Sequence, residues 1–185
     1  SITKLMWENG VDLVVGAHPH VIEPIKTDTF WSADSSKHSQ KLVAYSLGNF
    51  ISNQYRKNTD IGLIFEVELV KNTRSGQTVI GEHNYILAWR YIYGRYNRNL
   101  KKGFDWKYAA VPVSAFEADS SPYLMMSERE IKSMQLAAAS MRQHLSKWQS
   151  KERLVTLEEL GTIKPIVNNG KASQKEEKIK QKEKK

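Results

Sequence analysis

Residues 10–25 of the chain read GVDLVVGAHPHVIEPI, and they determine how the start of the sequence is interpreted. The apolar, β-branched run at 11–15 is typical of a short buried strand. Residues 3–9 before it resemble the end of a helix, and Gly10 occupies the position favoured for a left-handed helix stop. The order helix, tight turn, strand, loop predicts an α/β unit. Its loop, with Gly16 and two histidines, lies beyond the carboxyl end of the strand, where α/β sheets place ligand sites.

Residues 42–50, LVAYSLGNF, repeat this scheme with an apolar strand at 42–46 and a loop at Gly48 and Asn49. The polar, Ser-rich residues 27–41 between the two units predict a surface connection. The next region favours antiparallel structure, because apolar residues alternate in DIGLIFEVELV (60–70) and a turn-like NTRSGQT precedes a long strand candidate at 78–94. These two segments predict a β-hairpin, and AAVPV (109–113) predicts a shorter strand.

A helix is predicted over about 127–150. Ser127 and Glu130 form a capping box, and an apolar stripe follows at spacings of three and four. Residues 156–161, TLEELG, repeat the capping pattern with Gly161 as a stop. The sequence thus predicts a mixed α/β fold with α+β character, ordered over 1–168, and a disordered tail at 169–185.

Composition limits the classes of function. The chain has 185 residues, 40% of them hydrophobic, and no cysteine, which excludes disulfides and thiolate metal sites. No apolar run approaches the roughly 20 residues of a spanning helix. The net charge is +8, of which residues 171–185 supply +4 from seven Lys and three Glu. No nucleic-acid motif accompanies the charge, so specific nucleic-acid binding is not expected. The start without an initiator Met suggests part of something larger.

The sequence His18-Pro19-His20 carries the main functional signal. Proline fixes its own φ, and the residue before it is pushed to extended geometry. In an extended chain, residues two apart face the same way about 6–7 Å apart, so both imidazoles are expected to project together as metal ligands. Spacing alone leaves open a surface or hydrogen-bonded turn, because a catalytic metal needs about three protein ligands. His38, His83 and His144 are not expected to contribute.

The two loop segments together resemble the CapA-type family of poly-γ-glutamate capsule-synthesis proteins. The first block matches at Gly10, Asp12, Val14, Gly16, His18, Pro19, His20, Val21 and Pro24, and the second at Tyr45, Ser46, Leu47, Gly48, Asn49 and Phe50. The following strand, TDIGLIFEVEL, is also similar. The resemblance covers about residues 4–70, fades after about 95, and is to the C-terminal portion of the family pattern.

The resemblance implies a two-sheet, metallophosphoesterase-like sandwich flanked by helices, with a dinuclear site for Mn, Zn or Fe. By that analogy His18 binds the second metal and His20 the first. Gly16, Glu23, Gly48, Asn49 and Arg56 are expected to line the pocket or structure its loops. Glu23 stands where the family usually has Gln. Asn49 is followed by Phe50 rather than His, so the block is not the phosphoesterase G-N-H motif, and the other ligand motifs are absent. No catalytic residue is assigned.

Two functions from different classes therefore remain. One is the C-terminal portion of a metal-dependent phosphoester hydrolase or transferase for capsule biosynthesis, inactive as this fragment alone. The other is a non-catalytic module of the cell envelope that binds or exports an anionic polymer. The basic tail and the segment RYNRNLKK (95–102) suit the second function. In either case the expected partners are an anionic polymer or phosphoester and membrane-associated capsule-synthesis machinery.

Overall fold

The structure, a computed structural model, describes residues 1–31, 38–96, 104–117, 126–148 and 150–160. The chain forms two β-sheets and three described helices, so the predicted mixed α/β fold with two sheets is confirmed. The predicted disordered tail at 169–185 and most of the basic segment 95–102 lie outside the described residues. No described helix has the length and apolar character needed to cross a membrane.

The first sheet has three strands in the order β1-β3-β2. Helix α1 (Ile2–Glu8) is capped by Ser1 and ends at Asn9, before Gly10 with φ of +88°. Strand β1 (Leu13–Val15) pairs in parallel with β3 (His38–Ala44), and β2 (Ile25–Trp31) pairs antiparallel with β3. The helix, turn, strand and loop at the start of the chain are confirmed, but the strand is not buried as predicted, because Leu13 and Val14 are half-buried and Val15 is 52% exposed.

The predicted surface connection at 27–41 is wrong, because all of its described residues belong to β2 and β3. In β2 only Ile25 is buried, Thr27 and Phe30 are half-buried, and the other side chains are exposed, so the strand lacks a regular apolar alternation. The buried Lys41 also makes β3 difficult to predict from its sequence. Its ammonium donates to the Asp12 carboxylate at 2.6 Å and to the Val11 carbonyl at 3.0 Å, which satisfies a charge beside the buried apolar residues Leu42, Val43 and Ala44.

The second sheet contains the predicted hairpin. Strand β4 (Ile61–Lys71) pairs antiparallel with β5 (Thr78–Tyr96). The Asn72 side chain accepts from the amides of Arg74 and Ser75 and so closes the turn. The other edge of β5 is occupied by β6 (Phe104–Pro112) and by the two-residue β7 (Lys151–Glu152). The predicted strand at 109–113 is therefore the last part of β6, and a short helix, α2 (Val113–Phe116), follows at once.

Helix α3 (Glu128–Leu145) confirms the capping box, since Ser127 and Glu130 exchange side-chain-to-backbone bonds. It ends five residues before the predicted limit of about 150. Its buried stripe packs into one apolar cluster with residues of both sheets. The members of the stripe are Met134, Ala138, Met141 and Leu145. Residues 156–160 form a hydrogen-bonded turn, in which the Leu160 amide donates to the Thr156 carbonyl, and the predicted stop at Gly161 lies outside the described residues.

The segment 45–50 is bonded to both sheets. On one side, the Tyr45 amide donates to the Pro24 carbonyl and the Glu23 amide donates to the Ser46 carbonyl, each at 3.0 Å. On the other side, the Leu63 amide donates to the Leu47 carbonyl at 2.8 Å. Backbone bonds on both sides leave this segment little freedom, so the loop that carries Gly48 and Asn49 is held at the junction of the two sheets.

Candidate functional site

The loops that follow β1 and β3 meet at one edge of the first sheet. The two strands run in parallel with Val15 opposite Ala44, so their carboxyl ends face the same way. Gly16 brings the first loop against the second, because its amide donates to the Ala44 carbonyl at 2.7 Å. A Cβ at Gly16 would lie 2.1 Å from the Tyr45 carbonyl oxygen, so only glycine allows this approach.

The histidine pair lies in this first loop, but its backbone is not extended as predicted. The φ angles are +109° for His18 and +64° for His20, in the region that side chains rarely adopt. The predicted extended geometry is therefore wrong. Short backbone bonds on either side of the loop override the local preference of the residue before proline. The ring centroids are nonetheless 6.3 Å apart, with an interplanar angle of 40°.

The His20 ring is fixed by Asn49 of the second loop. His20 Nδ1 lies 2.8 Å from Asn49 Oδ1, and Asn49 Nδ2 donates to the Thr59 carbonyl at 3.0 Å. Since that carbonyl can only accept, the amide nitrogen of Asn49 must face it, and the amide oxygen must face His20. The hydrogen of the neutral ring is then on Nδ1, which leaves the lone pair of Nε2 available for a ligand.

This arrangement is the one that metal-binding histidines adopt, in which the second ring nitrogen donates to a carbonyl or carboxylate oxygen. Asn49 is 6% exposed, whereas both histidines are exposed. A buried amide thus holds an accessible imidazole. The two imidazoles fit part of a metal-binding shell, but among the described residues no group of three or more His, Asp or Glu side chains could hold a metal ion. Glu23 is half-buried and does not complete such a group.

The other predicted site residues lie in two places. Gly48 has φ of +72°, and a Cβ there would lie 2.9 Å from the Ile61 carbonyl oxygen, so glycine is required where the two sheets meet. Arg56 is exposed in the loop between Asn49 and β4, and its carbonyl accepts from the Thr59 hydroxyl at 2.6 Å. The guanidinium of Arg56 lines a separate cleft beside this loop.

The remaining histidines take other positions. The His38 ring packs against Trp31 with centroids 4.8 Å apart. His83 lies in β5 beside Phe65, and burial lowers the pKa of its imidazole below 6.5. His144 lies on α3 with its Nε2 buried. None of the three forms a ligand group with other acidic or imidazole side chains in the part of the chain that the structure describes.

Sequence reasoning missed two residues that shape this region. Thr59 supplies the carbonyl that fixes the Asn49 amide, and a backbone group carries no sequence signal. Arg90 is only 8% exposed in β5, where its Nη1 donates to the carbonyls of Ser52 and Gln54 at 2.9 and 3.1 Å. An arginine inside the apolar run ILAWRYIY (86–93) is itself unusual, and this was the signal available for it.

Comparison with known proteins supports the resemblance over the first part of the chain. Residues 1–54 match the family described as bacterial capsule synthesis protein PGA_cap. Over 71 residues, the chain is 32% identical to the PGA biosynthesis protein CapA of Bacillus subtilis (strain 168). That match covers 38% of this chain and 16% of the relative. No solved structure is significantly similar to the chain.

Proposed function

We propose that the chain acts in capsule or poly-γ-glutamate biosynthesis and binds divalent metal ions through His18 and His20, because residues 1–54 match the family of bacterial capsule synthesis proteins. The observation that carries the proposal is the 2.8 Å contact between His20 Nδ1 and Asn49 Oδ1. It leaves the lone pair of Nε2, on an accessible ring, available to bind a metal ion. The ring centroids of His18 and His20 are 6.3 Å apart.

Strain in the loop supports the same proposal. Two non-glycine residues with positive φ within three positions cost about 1–3 kcal/mol each. Such strain persists where the surrounding structure holds it in place, and it concentrates at ligand-binding sites. Here the loop is held by the backbone contact of Gly16 and by the Asn49 amide.

Divalent ions at such a site supply Lewis-acid assistance to phosphoryl transfer and activate water. In this proposal His18 and His20 contribute neutral nitrogen donors, and Asn49 holds the His20 ring in the required tautomer. Two imidazoles are fewer than the three or more protein ligands of a catalytic metal. The remaining ligands then come from polypeptide outside the described residues. Mn, Zn or Fe would suit imidazoles combined with carboxylates.

The test is metal binding by the chain as it stands. We expect Mn²⁺ to broaden the imidazole proton resonances of His18 and His20 at lower concentration than those of the other three histidines. Zn²⁺ titration by calorimetry should show affinity lowered about tenfold or more in His18→Ala and His20→Ala, which is about 1.4 kcal/mol or more. His38→Ala is the matched control, since His38 is also exposed. Equal broadening of all five histidines would overturn the proposal.

A second function, a non-catalytic cell-envelope module that binds an anionic polymer, is favoured by the net charge of +8. The two functions differ in what the histidines do. A hydrolase or transferase that contains this chain together with its remaining ligands loses metal-dependent phosphoester turnover in His18→Ala and His20→Ala. A binding module keeps its affinity for the polymer in both variants and shows no turnover to lose.

A further inference from the structure

A cleft of about 440 Å³ lies between the loop 54–60, strand β5 and the outer face of α3. Its volume is within the range of about 300–1,000 Å³ typical of small-molecule sites. The lining contains three cationic side chains, Arg56, Lys57 and Arg90, and one acidic side chain, Asp60. Neither histidine of the proposed metal loop is among the lining residues.

Arg90 is the unusual member of this group. Its side chain lies in a strand with 8% exposure, yet no carboxylate of the described residues lies within ion-pair distance. Nη1 donates to two carbonyls, whereas Nε is buried without a hydrogen-bond partner among the described residues. A buried charge is costly unless it is paired. The two carbonyl oxygens and the Tyr55 ring, whose centroid lies 5.9 Å from the guanidinium carbon, offset only part of that cost, so the position favours an anion.

The acidic residue in the lining does not supply this anion. The Asp60 carboxylate accepts from the indole Nε1 of Trp89 at 3.2 Å and lies beyond ion-pair distance from Arg90. Arg56 and Lys57 are exposed, and they add two further positive charges. The cleft therefore has an excess of positive charge with a buried arginine in its wall.

We propose that this cleft binds an oxyanion group, a carboxylate or a phosphate. Arginine suits both because its planar guanidinium donates in the geometry of these oxygens. The Arg90 side chain is held by the Ser52 and Gln54 carbonyls and is therefore preorganised, while the exposed Arg56 and Lys57 add positive charge to the lining. The residues that line the cleft do not include the histidines, so anion binding can be tested separately from the metal-binding proposal.

The test is anion binding to the whole 185-residue chain in the presence of EDTA, which removes any contribution of metal. Inorganic phosphate and a γ-linked glutamate oligomer are titrated separately by calorimetry. We expect at least one of them to bind, and the one that binds identifies the source of the oxyanion. The double variant Arg56→Gln with Lys57→Gln should weaken that binding about tenfold or more, and both residues are exposed enough that folding is unaffected.

The matched control is Arg74→Gln with Lys71→Gln, which removes the same charge from the exposed end of the β4–β5 hairpin. This control should retain affinity within about twofold. A third variant, Arg90→Lys, keeps the positive charge but loses the planar set of guanidinium N–H donors. We expect it to bind the anion more weakly, with an unchanged circular dichroism spectrum. Equal loss in the cleft and hairpin variants, or no binding of either anion, would overturn the proposal.

Discussion

Replacing Arg142 should measurably loosen the attachment of α3 to the second sheet. Arg142 lies in the last turn of the helix and pairs with two carboxylates. Nη1 and Nη2 donate to Glu117 at 2.8 and 3.0 Å, and Nε and Nη2 donate to Glu152 at 2.7 and 2.9 Å. Hydrogen bonds to Glu152 first, and then to Glu117, raise the pKa of Arg142. The cation therefore joins α3 to the end of α2 and to β7.

The magnitude follows from the burial of the three side chains. Arg142 is 33% exposed, Glu117 28% and Glu152 13%. Breaking a fully buried ion pair costs about 3–5 kcal/mol, whereas an exposed pair contributes about 0–1 kcal/mol. The side chains are partly exposed, and the guanidinium donates two hydrogen bonds to each carboxylate. Arg142→Ala should therefore lower the free energy of unfolding by about 2–3 kcal/mol. Arg142→Lys keeps the charge but loses the planar fork, so we expect about half of that loss.

The assay is urea unfolding of the chain followed by circular dichroism, with the midpoint and the m-value fitted separately. Arg129→Ala, in the exposed first turn of the same helix, is the control and should change stability by less than about 0.5 kcal/mol. A double-mutant cycle with Glu152→Gln should give a coupling energy of about 1 kcal/mol or more. If Arg142→Ala matches the control, or if Arg142→Lys loses as much as Arg142→Ala, the reasoning about the fork is refuted.

Three further predictions concern other parts of the fold. Gly62→Ala should destabilise the chain by about 1–3 kcal/mol, because the added Cβ would lie 2.4 Å from the Asn49 carbonyl oxygen. The control Gly81→Ala should cost less in the same urea assay, because its Cβ would meet the flexible side chain of Glu68, with the carboxylate oxygen at 2.5 Å. Because burial lowers the pKa of His83 in the folded state, the unfolded chain binds more protons below pH 6.5, and the free energy of unfolding should fall with decreasing pH. His83→Gln should reduce this dependence on pH in urea midpoints measured from pH 7.5 to 5.5. An unchanged dependence would contradict the role of His83. If Asn49 fixes the His20 tautomer, Asn49→Leu should lower Zn²⁺ affinity about 10–100-fold. Asn49→Asp keeps the acceptor for His20 but loses the donor to the Thr59 carbonyl, so its affinity should lie between those of the Leu variant and the unsubstituted chain, and equal affinities of all three in calorimetry would count against the role of Asn49.

The elements that were predictable are those specified by neighbouring residues. The β4–β5 hairpin has alternating strands and an Asn72 turn that closes on its own backbone. Helix α3 has a capping box between Ser127 and Glu130 and a stripe at helical spacing. In each case the contacts join residues a few positions apart or follow a fixed period, so the pattern in the sequence is the pattern of the structure.

The elements that were missed depend on residues far apart in the chain. Strand β2 and the first half of β3 carry mostly exposed polar side chains, and the buried Lys41 in the second half of β3 is satisfied by Asp12, 29 positions away. Strand β7 consists of two residues paired with β5 across more than sixty positions. A local sequence pattern does not indicate such distant partners, and tertiary contacts override the β-propensity of individual residues.

The histidine loop combines features that the sequence predicts with features that depend on distant residues. Its residue types and its place after β1 were readable, whereas its backbone conformation was not. The preference of His18 for extended geometry before Pro19 is worth little against contacts formed with the second loop. The positive φ of His20 accompanies the side-chain contact with Asn49. The sequence thus indicated which groups are present, but their presentation depends on a residue 29 positions away.

Asn49 connects the two sites proposed for this chain. Its amide oxygen faces His20, and its amide nitrogen donates to the carbonyl of Thr59, at the end of the loop whose residues 54–60 wall the cationic cleft. A displacement of that loop by an anion would move the Thr59 carbonyl and with it the amide that holds the imidazole. Conversely, a loop held by Arg90 through two carbonyls keeps Asn49 in place when the cleft is empty. In these proposals the buried arginine and the buried amide together hold the loop beside the histidine pair, through the carbonyls of Ser52, Gln54 and Thr59.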